Sequence, residues 1–126
     1  MTLENDLIVD FVNGAFGYRV RRSEGQGHSL ARAVGLKPGM ALNIVDATAG
    51  LGRDAFLLAS LGAKVTLIKR SKPMHDLLAD GLARAAAEGG LYAETVARMR
   101  LLHGDSCELL PELRPQVVYG GFMHPP

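Results

Sequence analysis

The stretch DATAGLGRD, residues Asp46–Asp54, decides the fold. It follows the run ALNIVD, Ala41–Asp46, which predicts a buried strand, and it leads into a helical pattern over Arg53–Leu61 that Gly62 ends. A glycine turn between a strand and a helix lets a ligand approach the backbone, and the first N–H groups of the helix can receive an anion. The stretch therefore predicts a site for a nucleotide-type ligand.

Short apolar runs alternate with longer helical patterns after this turn, which is typical of βαβ units and a parallel sheet. Pro73 opens a long helix that Gly89-Gly90 breaks, and Pro111–Pro115 marks another break. Further strands are predicted at Lys64–Ile68, Met99–Leu102 and Gln116–Tyr119, and short helices at Leu91–Arg98 and Ser106–Leu110. The predicted fold class is α/β.

Length and composition limit the protein class. The chain has 126 residues, 48% hydrophobic and 21% charged, with a net charge of +1, which predicts one globular domain. No apolar run approaches the roughly 20 residues that a membrane span needs, so a membrane protein is excluded and a cytoplasmic location is expected. The single cysteine, Cys107, forms no internal disulfide and is expected to be a buried, inert thiol.

The region before the first predicted strand is read as an N-terminal extension, residues 1–39, followed by a core at 40–126. Asp10-Phe11-Val12 is a candidate strand within the extension. Between Phe11 and Met40, five basic residues against one acidic residue give a charge of +4, and aromatic residues lie among them. Such a segment suits RNA, through phosphate contacts and base stacking, although a solvated loop has the same composition.

Two ligand classes fit the glycine turn. Gly50-x-Gly52-x-x-Ala55 matches the dinucleotide fingerprint, and the basic cluster Lys69-Arg70-Ser71 would suit the 2′-phosphate of NADP. The acid at the strand end, Asp46, favours instead a methyltransferase turn, because a carboxylate there can pair with the ammonium of S-adenosylmethionine, which NADP lacks. An NADP-dependent oxidoreductase stays open as the alternative.

Five runs carry a closer resemblance. The chain resembles the small-subunit ribosomal RNA guanine-N2 methyltransferases in VDATAGLGRDAFLLASLGAKV (Val45–Val65), DGLARA (Asp80–Ala85), RPQVVY (Arg114–Tyr119), DFVNGAFGYRVRR (Asp10–Arg22) and GQGHSLARAVG (Gly25–Gly35). The resemblance implies a Rossmann-like, mostly parallel sheet, incomplete at its C-terminal side. It also implies methyl transfer from S-adenosyl-L-methionine to guanine N2, with ribosomal RNA or the small ribosomal subunit as partner.

The resemblance also implies where the cofactor and the RNA bind. No catalytic residue is assigned. RNA contacts are expected at Arg19, Arg21 and Arg22, since neutralising phosphates is the first requirement of such a substrate. The expected cofactor-binding residues are Asp46, Gly50, Gly52, Arg53, Asp54, Arg70, Asp105 and Ser106.

The sequence departs from the family pattern at two acids. Lys69 replaces an acid at the end of the second strand, and an ammonium cannot accept hydrogen bonds from ribose hydroxyls. Gly121 replaces an acid after the fourth strand, so the chain is expected to be impaired in catalysis, and a non-catalytic RNA-binding fragment stays open as a third hypothesis.

Two further expectations concern assembly and metals. The fourth strand is expected to be a sheet edge that favours a homodimer, with His124 in an unstructured tail. His28, His75, His103 and Cys107 match no ligand spacing, so no metal site is expected.

Overall fold

The computed structural model describes residues 9–13, 35, 42–47, 50, 52–113, 115, 117–119 and 123–124. Within these residues, strands and helices alternate as the α/β pattern predicts. The strands are β1 Asn43–Asp46, β2 Lys64–Lys69, β3 Met99–His103, β4 Val117–Tyr119 and β5 Met123–His124; the helices are α1 Arg53–Ser60, α2 Lys72–Ala87, α3 Gly90–Ala97 and α4 Ser106–Leu113.

The strands form one sheet in the order β3-β2-β1-β4-β5. Strands β1 to β4 are parallel, and β5 runs antiparallel to β4. Asp46 pairs with Leu67 of β2 and with Tyr119 of β4, while Lys69 pairs with His103 of β3. The carboxyl ends of the parallel strands therefore meet at one edge, where open α/β sheets bind their ligands.

The core lies between the sheet and helices α1, α2 and α3. Ile44, Val65 and Leu67 are buried on one sheet face together with Phe56 and Leu58 of α1. Five consecutive residues of α1, Ala55–Ala59, are buried, and this packing explains why an eight-residue helix is stable here, since packing rather than propensity holds short helices.

Residues 9–13 belong to the same core. Phe11 is 1% exposed and stacks on Phe56, with ring centroids 4.5 Å apart and the planes 8° from parallel. Val9 is buried, and the guanidinium of Arg84 donates to its carbonyl oxygen. This part of the N-terminal segment therefore packs against α1 and α2, whereas the division at residue 39 lies outside the described residues and stays a prediction.

The strand predicted at Asp10-Phe11-Val12 is wrong. The Asp10 carboxylate accepts hydrogen bonds from the backbone N–H groups of Val12 (2.9 Å) and Asn13 (3.1 Å). These bonds lower the pKa of Asp10 and close a turn of the kind that Asp side chains favour over extended backbone.

Helix boundaries follow local signals with one exception. The hydroxyl of Ser71 accepts from the N–H of Met74 (3.3 Å) and starts α2, as the nearby Pro73 predicts. The break predicted from Pro111 is wrong, because α4 continues through it to Leu113. The φ of proline is compatible with a helix, so the cost in this short element is one backbone hydrogen bond and some crowding of the preceding turn.

The predicted sheet edge is also corrected. Val118 and Tyr119 of β4 pair with His124 and Met123 of β5, so β4 has partners on both sides and His124 lies in a strand. Among the described helices, none combines the length and apolar character that crossing a membrane would require.

Candidate functional site

The turn after β1 joins a buried carboxylate to the start of α1. Asp46 is 2% exposed at the end of β1, and Gly50 is exposed. Helix α1 begins after Gly52, and no side chain caps its first turn. Gly52 has no side chain that could accept from the first N–H groups of α1, and these groups lie at the carboxyl edge of the sheet, which favours a ligand carboxylate or phosphate.

Gly52 has a packing role in this turn. Its φ is +78°, and a Cβ atom built on it would lie 3.1 Å from Cδ2 of Leu78. The sequence predicted that the missing Cβ leaves room for a ligand; at Gly52 the missing Cβ leaves room for the core instead. Only Gly50 of the two glycines is exposed, so Gly50 is where a ligand can approach the backbone.

Lys69 has its ammonium in this corner. It is 3% exposed at the end of β2, and its Nζ donates to the carbonyl oxygen of Gly50 at 2.9 Å. Burial lowers the pKa of Lys69, and the attraction of Asp46 opposes that shift. The lysine therefore does not project toward solvent at the position of the family's acid; it turns inward and links β2 to the glycine turn.

Arg53 and Asp54 occupy the exposed first turn of α1. An acid in this position interacts favourably with the positive end of the helix dipole. Asp54 is thus suited to stabilising α1 as well as to contacting a ligand. Both residues lie beside Gly52, on the side of the turn where the sequence predicted cofactor contacts.

Arg70 and Asp105 lie together at the ends of β2 and β3. The guanidinium of Arg70 is 3.9 Å from Oδ2 of Asp105, and Arg70 is almost fully exposed. Oδ1 of Asp105 accepts from the N–H of Cys107 (2.8 Å), so this carboxylate also caps α4, which Ser106 begins. One carboxylate oxygen is held by the cap while the other faces Arg70.

The structure thus brings the predicted cofactor residues to one sheet edge in two groups. Asp46, Gly50, Gly52, Arg53 and Asp54 surround the first turn; Arg70, Asp105 and Ser106 follow the next strands. Their role as ligand contacts stays a prediction. Arg19, Arg21, Arg22 and Gly121 lie outside the described residues.

Two features of this edge were missed by the sequence. One is the inward orientation of Lys69, because a charged residue in a KR pair after a strand normally indicates exposure. The other is the contact between His75 and His103, whose ring centroids are 5.7 Å apart. These residues are 28 positions apart, and no local pattern links them.

The expected burial of Cys107 is wrong, since the residue is exposed in the first turn of α4. Its backbone is held by the Asp105 cap while its side chain faces outward. In the described part of the chain, no three His, Cys, Asp or Glu side chains are grouped as metal ligands would be.

The basic cluster that suggested NADP does not form one surface. Lys69 is buried against Gly50, and Ser71 caps α2. Of the two basic side chains in this cluster, Arg70 is the one that is exposed. A 2′-phosphate would meet a single guanidinium already near Asp105, so the geometry argues against the dinucleotide alternative.

The corner fits S-adenosylmethionine in its amino acid and adenine parts. The buried carboxylate of Asp46 could pair with the ammonium, the first N–H groups of α1 could receive the carboxylate, and Asp105 could accept from the adenine amino group. At the end of β2, where the resemblance implies an acid that accepts from the ribose hydroxyls, Lys69 offers no acceptor, so this position does not fit the ribose in that way.

Comparisons with known proteins agree with this reading. The family model SAM_MT, which describes SAM-dependent methyltransferases, matches residues 2–126. The ribosomal RNA small subunit methyltransferase J of Brucella anthropi is 69% identical over 122 residues, covering 97% of this chain and 60% of that protein. The protein of the same name from Agrobacterium fabrum is 61% identical, covering 95% of this chain and 58% of that protein.

A solved structure shows the same fold. It is a SAM-dependent methyltransferase from Neisseria gonorrhoeae, 39% identical, with a TM-score of 0.74 over 90% of this chain and 47% of that one. The chain thus spans between about half and three fifths of the length of these relatives. Because the family model matches residues 2–126, nearly the whole of this chain, the chain belongs to the SAM-dependent methyltransferase family.

Proposed function

We propose that this chain forms the S-adenosylmethionine-binding part of a methyltransferase that modifies guanine N2 in small-subunit ribosomal RNA. The observation that carries the proposal is the buried carboxylate of Asp46 beside the uncapped start of α1, at the carboxyl edge of a parallel sheet. The printed names of the relatives from Brucella anthropi and Agrobacterium fabrum support the ribosomal RNA substrate.

Each part of the cofactor has a counterpart in the corner. Asp46 attracts the ammonium, the first N–H groups of α1 receive the carboxylate, and Asp105 accepts from the adenine amino group. Arg53 and Asp54 border the methionine part, and Arg70 lies beside the adenine. When bound, the cofactor supplies an electrophilic methyl group on its sulfonium.

The RNA side of the proposal rests on the N-terminal extension, residues 1–39, with Arg19, Arg21 and Arg22 neutralising phosphates. Guanine N2 is a poor nucleophile because its lone pair is delocalised into the ring. An acceptor must therefore orient the amine toward the methyl group. Gly121 provides no side-chain acceptor, so we expect slow transfer from this chain.

Ligand binding tests the cofactor assignment directly. Titration calorimetry of the unaltered chain should show binding of S-adenosylhomocysteine and none of NADPH. Asp46→Asn should weaken S-adenosylhomocysteine binding by about tenfold, since one charge-assisted contact contributes about 1.5 kcal/mol or more. Asp76→Asn is the control, because Asp76 is exposed on α2 and pairs with Lys72.

The outcomes separate the candidate functions. Preferential binding of NADPH would overturn the methyltransferase proposal in favour of an oxidoreductase. If neither ligand binds while small-subunit ribosomal RNA does, the chain is a non-catalytic RNA-binding fragment. The specific observation that favours this second candidate is the buried ammonium of Lys69 at the proposed cofactor site.

The proposal includes a cytoplasmic location, which the RNA substrate implies, and a homodimer formed through an outer strand of the sheet. With β4 paired to β5, a partner would have to add at β5 or β3. Sedimentation equilibrium should give twice the monomer mass of 13.5 kDa; a single species at that mass would remove the dimer from the proposal.

A further inference from the structure

A cavity of about 430 Å³ lies at the opposite edge of the sheet from the cofactor corner. It is bordered by the amino-terminal ends of β1, β2 and β3 and by the end of α4 with Pro115. The side chains that matter for its chemistry are Lys64, Arg98 and Arg100, with Asn43 and Thr66 beside them. No part of the cofactor assignment uses this cavity.

The register of the sheet places its cations on neighbouring strands. Asn43 of β1 pairs with Lys64 of β2, and Thr66 of β2 pairs with Arg100 of β3. Lys64 and Thr66 are two residues apart, so they lie on the same face of β2, and directly paired side chains are about 5 Å apart. Lys64 and Arg100 are therefore diagonal neighbours on one sheet face.

Arg98 is fixed at the border of the same cavity. Its Nε donates to the carbonyl oxygen of Ala59 at 2.8 Å, and its own carbonyl accepts from the N–H of Val65 at 2.9 Å. The side chain is half-buried. This hydrogen bond directs the guanidinium of Arg98 toward the end of α1, so Arg98 borders the cavity and is not counted among its phosphate ligands.

The positive charge around the cavity is not balanced by acids. Among its described lining residues, none is acidic, and Lys64, Arg98 and Arg100 form no ion pair within the described part of the chain. Apart from Arg53, every other described lysine or arginine has a carboxylate close by: Asp46 for Lys69, Asp105 for Arg70, Asp76 for Lys72 and Asp80 for Arg84. Among the described residues, uncompensated positive charge is thus concentrated around this cavity.

We propose that this cavity binds a phosphate group, supplied by the backbone of the RNA substrate. The guanidinium of Arg100 and the ammonium of Lys64 are suited to a phosphodiester, since guanidinium pairs with phosphate oxygens through parallel hydrogen bonds. Asn43 and Thr66 add polar groups to the same cavity. The phosphate chemistry stands on the cavity alone, whereas the RNA as its source rests on the proposed function.

The position of the cavity is compatible with simultaneous use of both edges. Strand β2 has six residues, Lys64–Lys69, and is therefore about 20 Å long. A phosphate near Lys64 and a nucleotide near Lys69 would lie at the two ends of this strand. A folded RNA can bridge that distance, so the cavity would position the substrate backbone while the corner receives the nucleotide.

Binding measurements on charge-removing variants test the proposal. The variants are Lys64→Gln, Arg100→Gln and the double variant, and Lys72→Gln is the matched control because it removes one exposed, paired charge from α2. Fluorescence anisotropy with a labelled single-stranded RNA of small-subunit sequence gives affinity at several salt concentrations. Calorimetry with inorganic phosphate and guanosine monophosphate tests the two small phosphate sources.

The expected result is weaker RNA binding with a flatter salt dependence. Each single variant should reduce the slope of log affinity against log salt by about 0.7, and the double variant by about twice that. Lys72→Gln should leave both quantities near those of the unaltered chain. Circular dichroism melts of all variants identify any loss of fold; because Lys64 and Arg100 are exposed, the melts should be unchanged.

Three results would overturn the inference. Equal effects of Arg100→Gln and Lys72→Gln would show a general charge effect without a site. Loss of inorganic phosphate or guanosine monophosphate binding without any change in RNA binding would exclude RNA as the source. Unfolding of both single variants would show that the two cations serve stability.

S-adenosylhomocysteine titrations of the same variants separate this inference from the proposed function. Binding should be unchanged, because the cofactor corner is at the other edge. A different outcome is that neither the unaltered chain nor the variants bind S-adenosylhomocysteine although the slopes of log RNA affinity against log salt change as expected. In that case the phosphate site stands and the methyltransferase proposal fails.

Discussion

The ammonium of Lys69 donates a hydrogen bond to the carbonyl oxygen of Gly50 at 2.9 Å, linking residues 19 positions apart. The contact ties the end of β2 to the turn after β1. Lys69 is also attracted by Asp46, so this internal cation interacts with two groups of the proposed cofactor corner. A cofactor ammonium bound at Asp46 would compete with Lys69 for the attraction of that carboxylate.

Replacement of Lys69 should therefore strengthen cofactor binding. Lys69→Met keeps a side chain of similar length and removes the competing charge. We expect S-adenosylhomocysteine to bind about tenfold more tightly to this variant, because a hydrogen bond to a charged group contributes about 1.5 kcal/mol. Lys69→Glu should add a ribose acceptor, and its combination with Gly121→Asp should bind at least as tightly. Calorimetry measures the three affinities.

Lys64→Met is the matched control for this prediction, because it removes a charge from the other, exposed end of β2. Equal affinities for the unaltered chain and Lys69→Met would show that the lysine does not compete with the cofactor.

The stability of the protein should depend on pH through Lys69. Burial lowers its pKa in the folded state below the ordinary value of 10.5, so the unfolded chain binds more protons between the two values. The contribution of Lys69 to the free energy of unfolding must then rise as pH increases through the folded pKa toward 10.5. Urea unfolding of the unaltered chain and Lys69→Met at several alkaline pH values should show a stability difference that changes in this direction. A difference independent of pH would contradict the burial of the charged group.

Gly52→Ala should lower the free energy of unfolding by more than the backbone cost of an alanine with positive φ. Non-glycine residues with positive φ cost about 1 kcal/mol, and the added methyl group would also press on Leu78 at 3.1 Å. Gly90→Ala provides the control, because Gly90 has φ +53° with no described atom within 4 Å of the added Cβ. Urea unfolding should give a loss of about 2 kcal/mol or more for Gly52→Ala and about 1 kcal/mol for Gly90→Ala. Equal losses would mean that Leu78 moves away without cost.

Phe11→Ala should cost about 3 kcal/mol of unfolding free energy, because a buried aromatic stacked on Phe56 is removed. Asn13→Ala is the comparison, since Asn13 is exposed two residues along the same segment. Chemical denaturation distinguishes the two, with a much smaller loss expected for Asn13→Ala. A loss below about 1 kcal/mol for Phe11→Ala would show that packing of the N-terminal segment contributes little to the stability of the core.

The sequence by itself determined the order of the elements from β1 to β4 and pointed to the proposed cofactor corner. The β-branched residues of β1 and β2, the serine and proline at the start of α2 and the glycines at the turns act over a few positions, so a linear pattern is enough to find them. The acid-glycine stretch Asp46–Asp54 located the proposed cofactor corner for the same reason, because all of its parts lie within nine residues of one another.

Only the tertiary structure decided which way particular side chains turn and which strands meet. Lys69 is buried because Asp46 of β1 and Gly50 of the following turn lie beside it, and Phe11 is buried because it stacks on Phe56 of α1. Strand β5 covers β4, and Lys64, Arg98 and Arg100 share a cavity through sheet register. These relationships join residues distant in sequence, and the free energy of such contacts depends on packing and desolvation that no local pattern contains.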